Sequence, residues 1–173
     1  MFELGDIGGP EGVGHWITLC LRHRRAAAPI VNHRLFDGQT QESRLLATCA
    51  AMEYWVSSQA RAHPWAEGIK GFAVPVALAD RVSDAFEDWV GDRDQWADRV
   101  WDCNNRLKHD PAAEFSVEDM GYLELSARWL LTAVLLDSCA SSTDPSQRIF
   151  GRSLWSLGEG MRSHFGWNFP GSR

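Results

Sequence analysis

Apolar residues recur along this chain at the three- and four-residue intervals that put them on one side of a helix, and almost nowhere at the alternation of a strand. Trp16, Leu19, Cys20, His23 and Ala27 keep one face of a first helix. Pro29 is expected to end it, because the residue before a proline is pushed away from helical backbone. After the turn residues "DGQT", a second helix carries Leu45, Leu46, Cys49, Met52 and Val56. From Pro75 to Lys108 the stripe Val82, Phe86, Trp89, Trp96, Val100 and Leu107 holds helical phase, which predicts one long third helix with Gly91 as the place for a kink. Ser116, followed three residues later by Asp119, resembles a capping box, and Met120, Leu123, Ala127, Leu130, Leu131 and Val134 then form a nearly all-apolar fourth helix. Asp144 as N-cap and Pro145 at the first helical position open a fifth, running through Phe150, Leu154, Leu157, Met161 and Phe165. The best strand candidate, "GFAVPVAL", is interrupted by Pro75. The pattern predicts an all-α fold, a five-helix bundle in a single domain over 1–173, with 1–11 and 167–173 as loose termini.

Composition narrows the function more than the fold. At 173 residues and 19.4 kDa the chain is long enough to bury a core without disulfides or a metal. No apolar run reaches the ~18 residues that a bilayer demands, and the N-terminus lacks a basic segment followed by an apolar one. A soluble, cytoplasmic protein with no membrane partner is the expectation. Cys20, Cys49, Cys103 and Cys139 are far apart within helical patterns and read as small core residues, neither zinc ligands nor a disulfide framework. No metal and no cofactor is expected: "GGPEGVG" follows no strand as a phosphate-binding loop would, and "GRSLW" lacks the second glycine of a nucleophile elbow. The nine tryptophans mostly sit at helical spacings and read as packing residues. A formal charge of -6 excludes broad affinity for nucleic acid, so any RNA contact must be local. Two basic spots remain, "RHRR" at 22–25, read as a solvated helix face, and "NRLKH" at 105–109.

The second spot lies in "WDCNNRLKHDP", which gathers two amides, two cations and a histidine at the expected end of the third helix. At about 100° per residue, Trp101, Asn105 and His109 line up along one side with Lys108 beside them. Asn104 instead falls between Val100 and Leu107 on the core stripe, and Arg106 stands one turn beyond Asp102, where an i,i+4 ion pair forms. Pro111 places His109 in the last turn, at the negative end of the helix dipole, which favours the imidazolium and suits acid–base work as well as plain helix capping. Glu53, at the edge of the apolar stripe of the second helix, needs water or a partner, and Arg106, Lys108 and His109 are the partners within the same bundle.

"ESRLLATCAAMEYW", an acidic helix, "NNRLKH" and "GYLELSARWLLTAVLL", taken in order, resemble the HEPN domain at the C-terminal end of ApeA-type anti-phage proteins, from about Gly14 to Phe165. Such domains carry R-N-x-x-x-H at a helix end; Asn105 and His109 match its Asn and His, Asn104 stands where the Arg belongs, and Glu53 corresponds to a recurrent Glu of the earlier helix. The resemblance is to the second half of those proteins only, and their β-rich N-terminal domain implies a sensor domain, on another chain or removed from this one, or a partner protein. The resemblance implies a homodimer and metal-independent cleavage of RNA, in which the 2′-hydroxyl attacks, His109 moves the proton and a cation steadies the transition state. On that reading His109, Asn105, Arg106 and Glu53 are catalytic, with Asn104 and Lys108 binding substrate and Arg106 or Lys108 replacing the missing cation. The alternative implied by Asn104 is a catalytically degenerate HEPN-fold module that binds RNA, a nucleotide or a protein partner. Under the first reading, Asn104→Arg should create or raise cleavage.

Overall fold

The computed structural model describes residues 4–32, 38–82, 84–140 and 143–167, the side chains of Leu4 and Arg152 excepted, and among them there is no strand. A 3₁₀ turn at Leu4–Ile7 leads into α1 (Gly9–Arg22) and α2 (Arg24–Val31). Then follow α3 (Gln41–Gln59), a 3₁₀ turn at Pro64–Ala66, α4 (Ala73–Ala79), α5 (Ala85–Val90), α6 (Arg93–His109), α7 (Val117–Asp137), α8 (Pro145–Arg148) and α9 (Trp155–Phe165). The all-α class stands as expected, but nine helices appear among the described residues instead of five.

The extra helices come from breaks whose causes are local. Pro29 does not end the first helix; it lies inside α2, where it forfeits only the bond its N–H would give to Arg25, and the break falls at His23 (φ -116, ψ 50). The stretch from Pro75 to Lys108 is three helices, not one. Gly91 takes φ 92, a left-handed backbone that stops α5 outright, and the Asp92 carboxylate accepts the Gln95 N–H at 2.9 Å to start α6 afresh. Its apolar stripe is therefore the sum of three inward faces. The fifth predicted helix is divided by a π-helical turn at Ile149–Ser153, which the Trp89 indole holds open by donating to the Leu154 carbonyl at 2.7 Å.

Other punctuation behaves as read. Ser116 Oγ accepts the Asp119 N–H at 2.9 Å and donates to the Asp119 carboxylate at 2.9 Å, and Asp144 accepts the Gln147 N–H at 3.0 Å in front of Pro145. Residues 4–11 are not loose: Ile7 is buried, Asp6 pairs with Arg148 at 2.9 Å, and Gly9–Glu11 open α1. Trp167 is buried and stacks on Phe165 with centroids 4.5 Å apart, while 1–3 and 168–173 lie outside the described residues.

At the centre stands α7, buried on nearly every side and packed most extensively against α3, with α2, α4 and α6 around it. Burial of each large side chain there contributes about 1.5–3 kcal/mol. Phe86, Trp89, Trp96 and Phe150 form an aromatic knot with centroids 5.0–5.9 Å apart, joining α5 and α6 to the turn before α9. Trp96 meets the requirement for a buried indole partner by donating to Ser126 Oγ of α7 at 2.8 Å. No helix among the described residues is long and apolar enough to cross a membrane.

Candidate functional site

The end of α6 is set by its last residues. The Asp110 N–H still reaches the Arg106 carbonyl at 2.8 Å, but the Asp110 side chain then accepts the Ala112 N–H at 3.0 Å in a turn begun by Pro111, and the helix stops at His109. Asn105, Arg106, Lys108 and His109 are all exposed there, so the terminus is not covered by the described residues. Lys108 lies 5.9 Å from the centroid of the largely buried Trp101 ring, a cation–π contact that keeps its ammonium on the side of Asn105 and His109. Arg106 turns the other way, 4.0 Å from Asp102 as the i,i+4 spacing predicts and over the Phe115 ring at 4.7 Å.

The two remaining sequence candidates behave differently. Asn104 has no exposed surface, and among the described residues neither its Oδ1 nor its Nδ2 finds a hydrogen-bond partner, so the position to which the sequence resemblance would assign an arginine is sealed in the core. Direct contact of Asn104 with a substrate is thereby overturned, because helical phase turns it inward with Val100 and Cys103. Glu53 is half-buried and forms no ion pair with Arg106, Lys108 or His109. Burial pushes the thiol of Cys49, four residues earlier on α3, up to about 12, and among the smaller influences on it Lys108 lowers it while Cys103 and Glu53 raise it.

A second feature lies elsewhere and was missed by periodicity. A cleft of about 730 Å³ opens between α1, the end of α3 and the end of α7, lined among others by His15, Arg22, His23, His63, Arg81 and Asp137. These come from five separate stretches of chain, which no local pattern connects. The single available signal was "RHRR", read as a solvated face; Arg22 and His23 in fact line the cleft, and only Arg24 and Arg25 match that reading, Arg25 lying over the Tyr54 ring at 5.1 Å. His15 donates through Nδ1 to the Cys139 carbonyl at 3.1 Å. The His23 ring packs edge-on against Trp55 with centroids 5.1 Å apart, and burial first, Arg22 second, hold its titration below the ordinary histidine value.

Asp137 accepts the Ser146 N–H at 2.9 Å, yet burial pushes its carboxyl up to about 6. A folded-state value above the unfolded one means a stabilising contribution complete below pH ~4 and lost as pH rises through about 6. Asp137→Asn, which keeps an acceptor for Ser146 and never ionises, is expected to stabilise the protein by about 1–2 kcal/mol at pH 7.5 and by almost nothing near pH 4. Urea unfolding at the two pH values checks this.

No group of three or more His, Cys, Asp or Glu side chains among the described residues is arranged to hold a metal ion. Among the described residues the site and scaffold together define a small all-helical domain with an exposed basic helix end and, apart from it, a polar cleft. No family model matches the chain, and neither the curated proteins nor the solved structures contain a match to it.

Proposed function

We propose that this chain is a HEPN-like helical module that contacts RNA through the exposed end of α6 without cleaving it. The observation that carries this reading is Asn104: the place of the motif arginine faces the core with no solvent exposure, so no cation at that place can reach a phosphate. What remains outside is a binding surface. Lys108 supplies charge for phosphate oxygens, the Asn105 amide offers both donor and acceptor to a base edge or the ribose, and His109 adds a further donor. On a chain of net charge -6 such a contact is local, and its affinity falls steeply with salt.

The second reading is a dimeric, metal-independent HEPN ribonuclease of a prokaryotic anti-phage defence system. The joint exposure of Asn105, Lys108 and His109 at a helix terminus favours it, since a second copy pairing there brings two imidazoles toward one ribose-phosphate. His109 is then the acid–base group, and Lys108 supplies the cation, because Arg106 is held by Asp102 and Phe115.

Incubation of the protein with tRNA and total RNA in a chelating buffer, beside His109→Ala, separates the two. Retarded but intact RNA is the expected result. Cleavage by the parent that His109→Ala abolishes replaces the module by the nuclease, and failure to retain any RNA removes both.

A further inference from the structure

We propose that the cleft at the end of α7 binds a small planar organic anion, an aromatic acid bearing one carboxylate or an equivalent group, as a function separate from the RNA-contacting face. No residue of α6 lines this cleft, so the two sites are independent in composition. Its volume of about 730 Å³ is within the range of sites that enclose small organic ligands.

The sign of the ligand follows from the charged groups. Arg22, the last residue of α1, makes no ion pair among the described residues, and Arg81 donates through Nε to the Asp80 carbonyl at 3.3 Å, with no carboxylate among the described residues paired to its terminal nitrogens. Both are exposed at the cleft, and planar guanidinium groups recognise carboxylates through paired hydrogen bonds. The single carboxylate of the lining, Asp137, is already engaged by Ser146. Two arginines against one carboxylate leave the cleft cationic before any histidine is protonated, in a chain whose net charge is -6. A cationic ligand is thereby disfavoured, and a polyphosphate would outrun the available positive charge.

The shape of the ligand follows from the walls. Trp55 and Trp65 both line the cleft, and the Arg81 guanidinium lies over the Trp65 ring at 5.3 Å from its centroid, placing a cation and an aromatic face side by side. A ring carrying an acid group satisfies both at once: the ring against indole, the acid against guanidinium.

Calorimetric titration of the full chain with 1-naphthoate, and with 1-naphthalenemethanol as the uncharged counterpart, tests this. Naphthoate should bind one per chain, about tenfold or more tighter than the alcohol, and the double variant Arg22→Gln, Arg81→Gln should lose about tenfold or more of that affinity, the difference a charged hydrogen bond makes. Both arginines are exposed, so an unchanged melting temperature accompanies the loss, and Trp65→Leu should weaken both compounds alike. Equal binding of acid and alcohol, unaltered affinity in the double arginine variant, or no binding of naphthoate would each overturn the proposal. RNA retention by the double variant reads the α6 face separately, so failure of one site is told apart from failure of the other.

Discussion

Replacing Asn104 by arginine is expected to unfold or loosen this protein and not to create an active site. The side chain has no exposed surface and no partner for either amide atom, so a guanidinium introduced there is a buried charge without compensation. The cost of such a charge is about 3–5 kcal/mol, which in a domain of this size lowers the melting temperature by roughly 10 °C. The converse substitution acts in the opposite direction. Asn104→Leu keeps the branched outline while replacing two unbonded polar atoms by methyl groups, and is expected to stabilise by about 1–2 kcal/mol, because an orphaned buried amide carries a desolvation cost of that order. Thermal melts of the parent and both variants measure the contrast. If arginine is tolerated without loss, the inward position of Asn104 is wrong.

The largest loss from a deletion is expected at Trp89. Its indole is fully buried, packs on Phe86 and Phe150, and donates to the Leu154 carbonyl at 2.7 Å; its own carbonyl accepts from Arg162 of α9. Gly158 exists in this packing for want of space, since a Cβ there would stand 2.5 Å from the Trp89 ring. Trp89→Ala therefore removes the filling between α5 and α9 together with the bond that holds the π-helical turn. A cost of about 3–5 kcal/mol follows from the cavity and lost transfer energy. Trp89→Phe, which keeps most of the ring and loses the donor, should cost about 1–2 kcal/mol. Urea unfolding of the two variants gives both values, and a loss below 1 kcal/mol for the alanine would contradict the packing described.

Helical phase and caps were legible in the sequence because they are local. Thr40, Ser116 and Asp144 cap the helices they were read to cap or to precede, and Arg106 meets Asp102 as its spacing requires. The inward direction of Asn104 was legible for the same reason: it shares a phase with Val100 and Leu107. Breaks within a continuing apolar stripe were not. Gly91 reads in the sequence as a bend, but its positive φ and the competing Asp92 cap make a full stop. The interruption near Leu154 depends on the Trp89 indole, 65 residues away, and nothing near Leu154 announces it. Pro29 does not end its helix, because one missing bond near the end of a helix with a buried face is tolerated.

The same division holds for the sites. His109, Asn105 and Lys108 share one end of one helix, so their common exposure followed from spacing alone. Glu53 lies on α3, where the sequence supplies the helix face but not the distance to the end of α6, and no ion pair joins it to Arg106, Lys108 or His109. The cleft joins α1, α3, the turn at Pro64–Ala66, Arg81 and the end of α7, an assembly that only the tertiary fold brings about.

Contact between RNA and the end of α6 is read directly by the fluorescence anisotropy of a labelled single-stranded RNA. Binding by the parent should weaken by about tenfold in Lys108→Gln and fall with rising salt, while Arg24→Gln on the far basic spot leaves it unchanged. Equal affinity in the parent and Lys108→Gln, or binding lost only with Arg24→Gln, would contradict it.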